Sequence, residues 1–209
     1  MENCRQILLQ GMDELAIPID AKQLELLLAF IKLIEKWNKA YNLTAVRQPE
    51  DMARLHILDS LAVLPFVKGQ RVADIGTGAG LPGIPLAVFL PEVEFTLVDS
   101  NSKKTRFVQQ AVLELKLKNV SVLHRRVEDI QAQPVFSTVI MRAFASLQDI
   151  MQLTRHLIDE QGILLAMKGQ QSNQELEAMT VPYSIIPVHV PGVEAERCLI
   201  QIAGAAKNG

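Results

Sequence analysis

Between Arg71 and Asp99 the chain reads R-V-A-D-I-G-T-G-A-G-L-P-G-I-P, then an apolar stretch, then F-T-L-V-D, and this order leaves few folds open. Val72, Ala73 and Ile75 have the apolar character of a buried strand. The glycines that follow remove Cβ atoms where the backbone turns sharply and where a ligand lies against it. Leu81 to Leu90 predicts a helix whose first amides face that ligand. About 20 residues after the loop, Asp99 closes a second strand where a carboxylate accepts hydrogen bonds from two ribose hydroxyls. Strand, glycine loop, helix, strand and acid form the pattern of a nucleoside-cofactor site.

The glycine spacing separates two classes of cofactor. Counted from Asp74 the run is D-x-G-x-G-x-G, with Gly76, Gly78 and Gly80, whereas a dinucleotide fingerprint needs G-x-G-x-x-G. A shifted register through Gly78, Gly80 and Gly83 satisfies that fingerprint and would make the chain an NAD-linked oxidoreductase. It leaves Gly76 and Asp74 without a role, so the first register is preferred. That register resembles the S-adenosylmethionine loop of Rossmann-like methyltransferases, which wraps the methionine end of its cofactor and has no pyrophosphate to cradle.

With 209 residues and 49% hydrophobic content, the chain is long enough for a substantial core plus an appended element. It has no apolar run of about 18 residues and no signal-peptide pattern at its start, so a cytoplasmic protein with no membrane association is expected. Cys4 and Cys198 lie at opposite ends and the histidines are scattered, which suggests neither a disulfide framework nor a metal site. A net charge of −2 argues against indiscriminate coating of nucleic acid. The charge is nevertheless uneven: Lys103, Lys104, Arg106, Lys116, Lys118, Arg125 and Arg126 follow the cofactor acid against Glu114 alone, and Arg47, Arg54, His56 and Lys68 form a second basic stretch.

Residues 1–66 read as helical: Arg5 to Leu15, Ala21 to Trp37 with Asp20 as N-cap, a break over Asn38 to Asn42, and a third helix from Pro49 to Phe66. From residue 67 to 209 the pattern becomes β-α, with strands at Arg71 to Ile75, Glu94 to Val98, Val120 to Leu123, Phe136 to Met141 and Gly162 to Met167. Helices fall between them at Ser102 to Leu117 and Leu147 to Ile158, with a polar helix from Gln170. This alternation predicts a parallel sheet covered on both faces. Tyr183 to Val190 and Arg197 to Ile202 read as a terminal antiparallel hairpin around Pro191-Gly192. The expected architecture is α/β, Rossmann-like, with seven mostly parallel strands and an N-terminal helical extension.

Several strings go beyond the fold class: N-L-T-A-V at 42–46, H-I-L-D-S-L at 56–61, D-I-G-T-G-A-G-L-P-G-I-P-L-A at 74–87, V-D-S at 98–100, R-V-E-D at 126–129 and M-R-A-F-A at 141–145. In this order they resemble the glucose-inhibited division protein B family, bacterial methyltransferases that modify guanine N7 in small-subunit ribosomal RNA. Met141 departs from the family pattern, where a small polar residue such as serine is expected, and this bears on packing more than chemistry. The resemblance implies S-adenosylmethionine as cofactor and 16S rRNA or the small subunit as partner, with the protein acting as a monomer. It also implies that Gly76, Gly78, Gly80 and Leu81 hold the methionine portion, Asp99 the ribose, and the backbone of Val127 and Glu128 the adenine edge, with Ser100 and Arg142 as further cofactor-binding residues.

Arg142 ends a strand at the cleft mouth and suits a carboxylate of the cofactor or an RNA phosphate, since both accept paired N–H donors. Phe144 is a candidate to stack on a splayed guanine, and Lys168 is a further cation at the mouth. Asn42, Thr44, His56, Asp59 and Ser60 form a polar cluster, part of which is expected on the substrate side. Guanine N7 has a lone pair and no proton to lose, so no general base is needed. In agreement, Arg142-Ala143-Phe144 replaces the Asp/Asn-Pro-Pro-Tyr motif of exocyclic amine methylation, and no cysteine stands near a strand end. A non-catalytic protein that binds the cofactor and docks RNA is the remaining alternative.

Overall fold

The computed structural model describes all residues except 132–134, 143–145, 170–174, 177–178 and 205–209. Among the described residues seven strands form one sheet: β1 (Arg71–Ile75), β2 (Glu94–Asp99), β3 (Val120–His124), β4 (Phe136–Arg142), β5 (Ile158–Lys168), β6 (Tyr183–Pro187) and β7 (Cys198–Ala203). Their order is β3-β2-β1-β4-β5-β7-β6. The pairs from β3 through β5 are parallel, while β7 runs antiparallel to both β5 and β6. The chain reverses its direction of travel across the sheet between β1 and β4, and the carboxyl ends flanking such a switch point form the ligand crevice of this architecture.

Both sheet faces are covered, as a parallel sheet requires. On one side Val72, Phe95, Ile140, Leu165 and Leu199 share a cluster with Leu8, Leu27, Phe30 and Ile57 from the N-terminal helices. On the other, Ala73, Ile75, Val139, Met141 and Leu164 pack with Leu147, Ile150 and Leu157. Met141 is 4% exposed, so its thioether fills core, in line with the expectation that this departure bears on packing.

The helices are α1 (Glu2–Glu14), α2 (Ala21–Tyr41), α3 (Pro49–Met52, Ala53–Leu58 and Asp59–Leu61 in succession), α4 (Gly83–Phe89), α5 (Ser102–Glu114) and α6 (Leu147–Thr154). Asp20 caps α2 in a reciprocal box: it accepts the Gln23 amide at 2.7 Å while the Gln23 side chain accepts its own amide at 2.9 Å. This helix does not break at Asn38. It continues to Tyr41 and stops at Asn42, whose φ of 48° is left-handed. Asn38 is instead buried in the last turns, donating to the Val46 carbonyl and accepting the Thr44 amide.

The third predicted helix is not uniform either. Ala53–Leu58 is wound as π-helix, a form found mostly as single-turn bulges near functional sites, and Leu64–Phe66 is a separate 3-10 turn. Further along, β5 begins at Ile158, earlier than the predicted Gly162, because α6 ends at Thr154 and a 3-10 turn takes over. The terminal hairpin is looser than a two-residue turn, with residues 188–197 joining β6 to β7. Most of the polar helix expected from Gln170 lies outside the described residues.

Candidate functional site

Asp74, the last residue but one of β1, is fully buried, and its carboxylate turns back under the glycine loop. Oδ2 accepts the Thr77 hydroxyl at 2.6 Å and the Gly83 amide at 2.9 Å. This corrects the expectation that the first amides of the helix face a ligand: the Gly83 amide is already taken by an acid of the protein itself. The same arrangement disfavours the shifted NAD register, because a buried carboxylate sits where a pyrophosphate would dock. Burial pushes the Asp74 carboxyl up to about 6, with the two hydrogen bonds and Arg142 pulling it back and Asp99 adding to the rise. Gly76, Gly78 and Gly80 all take left-handed φ values, of 69°, 60° and 80°, which is the conformational reason for the D-x-G-x-G-x-G spacing.

The loop is pinned from β2 as well. Asp99 Oδ2 accepts the Gly78 amide at 2.9 Å and Oδ1 accepts the Asn101 amide at 2.8 Å, leaving lone pairs on both oxygens. Ser100 is exposed beside it, and its carbonyl lies 3.1 Å from His124 Nε2 at the end of β3. Val127 and Glu128 form a 3-10 turn just beyond β3. Since Asp99 pairs in register with His124, that turn lies on the far side of Asp99 from the glycine loop.

Arg142 ends β4, the strand next to β1 on the other side of the loop. Its Nη1 is buried without a hydrogen-bond partner among the described residues. It lines two adjoining cavities. The smaller, about 140 Å³, is bounded by Gly76, Thr77, Gly78 and Leu81 on one side and by Leu43 and Thr44 on the other. The larger, about 450 Å³, is bounded by Asp59, Lys168, Arg197 and Cys198 among others; Cys198 is the first residue of β7, which corrects the expectation that no cysteine stands near a strand end. His56 and Arg142 are the two side chains common to both walls.

The π-wound segment of α3 supplies His56, which is 3% exposed. Its Nε2 lies 2.8 Å from Thr44 Oγ1, and its buried Nδ1 has no hydrogen-bond partner among the described residues. Burial, reinforced by the nearby charge of Arg142, pushes the imidazole down to about 4, so it is neutral at ordinary pH. One turn on, Asp59 accepts from Arg197 Nε at 3.0 Å, tying the β6–β7 connection to the N-terminal helices. Burial pushes the Asp59 carboxyl up, opposed by Arg142 and Arg197. Ser60, from the same polar cluster, donates to the His56 carbonyl at 2.5 Å and so serves the helix itself.

Other predicted residues are placed less centrally. Lys168 lines the larger cavity and is ion-paired with Glu175, which also accepts the Leu147 amide. Phe144 lies outside the described residues. Arg47 bonds the Asn38 carbonyl and the Asn42 side chain, and Arg54 bonds the Glu50 carbonyl, so both spend donors on helix ends. The long basic run is split by the turn of the chain. Lys103, Lys104, Arg125 and Arg126 lie at the site edge, near the start of α5 and the end of β3, while Lys116 and Lys118 lie at the opposite edge. Arg197 was not among the predicted site residues, since its partner Asp59 is 138 positions away and no local pattern links them.

The fold is shared with solved methyltransferases. A putative O-methyltransferase from Klebsiella pneumoniae superposes with a TM-score of 0.60 at 11% identity, covering 90% of this chain and 92% of its own. Magnesium protoporphyrin IX methyltransferase from Synechocystis, solved with bound S-adenosylmethionine, superposes at 0.58 with 14% identity, covering 83% and 97%. Sequence relatives are much nearer. Ribosomal RNA small subunit methyltransferase G from Stutzerimonas stutzeri is 48% identical over 204 residues, 95% of each chain. The protein of that name from Nitrosococcus oceani is 45% identical over 199 residues, 94% of this chain and 93% of its own. Residues 23–199 also match the GidB family model, described as rRNA small subunit methyltransferase G, and with whole-length relatives at this identity the chain belongs to that family.

Proposed function

We propose that this chain transfers a methyl group from S-adenosylmethionine to N7 of a guanine in the 16S RNA of the small ribosomal subunit. Its relatives carry the corresponding name, and one structural observation supports the site assignment most directly. The candidate residues follow one another along the carboxyl edge of the sheet: Val127 and Glu128 beyond β3, Asp99 and Ser100 at β2, Gly76, Gly78, Gly80 and Leu81 after β1, Arg142 at β4 and Lys168 at β5. That order matches adenine, ribose, methionine and acceptor in turn. The residues fit such a group, because Asp99 retains acceptor capacity and the buried Arg142 Nη1 has no acceptor among the described residues.

S-adenosylmethionine supplies an electrophilic methyl on a positively charged sulfur. Asp99 holds the ribose and, through the Gly78 amide, the loop itself. Arg142 holds the methionine carboxylate, which it can engage with two parallel N–H donors. The larger cavity, with Arg142, Lys168 and Arg197 on its wall, receives the target nucleotide and its phosphate. N7 uses its in-plane lone pair and gives up no proton, so these residues have only to fix distance and line of approach, which supplies several kcal/mol.

The test is transfer of labelled methyl from S-adenosylmethionine to small-subunit RNA prepared from a strain lacking this protein. N7-methylguanine in the nucleoside digest is the expected product. Label at another atom, or in another RNA, overturns the substrate assignment. Cofactor binding with no transfer to any RNA favours the non-catalytic docking role.

A further inference from the structure

Thr44 stands opposite the glycine loop on the wall of the smaller cavity. The chain fixes it there closely: Asn38 accepts its amide at 3.0 Å, and the Thr44 hydroxyl oxygen accepts the Val46 amide at 3.2 Å. The same hydroxyl meets His56 Nε2 at 2.8 Å. A hydroxyl has one proton and two lone pairs, and a neutral imidazole has one N–H and one bare nitrogen. Two arrangements therefore fit. If Nε2 carries the proton, both Thr44 lone pairs are filled and its O–H points into the cavity. If Nδ1 carries it, Thr44 gives its proton to Nε2 and one lone pair faces the cavity, at the cost of a buried Nδ1–H for which the Leu55 backbone is the neighbouring acceptor.

What enters the cavity selects between them. The methionine end of the cofactor is a zwitterion, and Arg142, on the same wall, is complementary only to its carboxylate. The α-ammonium needs an acceptor, and a lone pair backed by a neutral imidazole provides one without placing a second cation nearby. We propose that Thr44 binds the α-ammonium of the cofactor through its hydroxyl oxygen, with His56 as the positioning residue that takes the hydroxyl proton. This rests on the S-adenosylmethionine reading given above.

The test is calorimetric binding of two probes: S-adenosylhomocysteine, which carries the amino-acid end, and 5′-methylthioadenosine, which lacks both ammonium and carboxylate. Thr44→Val is expected to weaken S-adenosylhomocysteine at least 5-fold and to leave methylthioadenosine within 2-fold of wild type. Thr44→Ser keeps the oxygen and is expected to stay within 2-fold for both, and His56→Leu to show part of the valine variant's selective loss. Thr44→Ala gives the same reading should valine disturb folding. An unchanged S-adenosylhomocysteine affinity in Thr44→Val overturns the proposal, and so does an equal loss for both probes. If the wild-type chain binds neither probe, the cofactor assignment falls first and this inference with it.

Discussion

The Asp99 carboxylate holds the Gly78 amide at 2.9 Å, so the acid that ends β2 also fixes the glycine loop that follows β1. Its removal therefore has two effects on one binding event: a ribose acceptor is lost and the loop loses its anchor. Asp99→Ala should weaken S-adenosylhomocysteine by about 1–3 kcal/mol, the cost of leaving buried hydrogen-bonding groups without their partner. Asp99→Asn keeps one acceptor oxygen and should lose less. Calorimetry on the three proteins checks this, and an unchanged dissociation constant for the alanine variant would exclude Asp99 from the site.

Asp74 and His56 impose opposite pH dependences on stability within one window. Burial raises Asp74 to about 6 from 3.8, so the native state holds its proton more tightly than the unfolded chain and stability falls as pH rises through that interval. Burial lowers His56 to about 4 from 6.5, so the unfolded chain binds its proton more readily and stability falls as pH drops through that interval. Each contribution is at most about 3 to 4 kcal/mol, at roughly 1.4 kcal/mol per pH unit. Relative to wild type, Asp74→Asn should gain stability as pH rises from 4.5 to 6, and His56→Gln as pH falls from about 6.5 to 4.5. Urea unfolding at three pH values in this range measures both differences, and a flat difference for either variant contradicts its assignment.

Gly83 is required for space and not for conformation. A Cβ there would lie 2.8 Å from Asp74 Oδ2 and 2.8 Å from Leu97 Cγ. Retreat of the carboxylate would stretch the bonds that Oδ2 accepts from the Thr77 hydroxyl and the Gly83 amide, and Asp74 is fully buried. Alanine gains about 1 kcal/mol in helix propensity over glycine. Overpacking costs about 1–3 kcal/mol and should win. Gly83→Ala is thus expected to lower the urea midpoint, and a variant as stable as wild type would show that Asp74 is free to move.

The sequence made the sheet edge legible because its signals are local. A short apolar run gave way to a glycine loop and an apolar helical stretch, and Asp99 stood at the expected distance. The contacts that complete the site are of another kind. Thr44 and His56 are 12 residues apart across two elements, and Asp59 meets Arg197 across 138 residues. The π-wound Ala53–Leu58 escaped notice because apolar spacing does not register a wider turn inside a helix. Asp74 was read as the first letter of a motif, and only its burial and its bonds to Thr77 and Gly83 give it a second role as the cap that occupies the start of α4.

Arg142 offers a test that depends on the charge of the cofactor itself. Its guanidinium attracts the methionine carboxylate, present in both S-adenosylmethionine and S-adenosylhomocysteine, and repels the sulfonium, present only in the first. Arg142→Ala removes the attraction for both ligands and the repulsion for one. Affinity for S-adenosylhomocysteine should therefore fall by about 1.5–3 kcal/mol, the worth of a charge-assisted hydrogen bond, and S-adenosylmethionine should lose less. Arg142→Lys keeps the charge without the paired donors, so it should weaken both ligands while leaving their ratio near that of wild type. Affinities for the two ligands across the three proteins decide the matter. If the alanine variant binds both as wild type does but binds RNA poorly, the guanidinium serves a phosphate of the substrate and not the carboxylate of the cofactor.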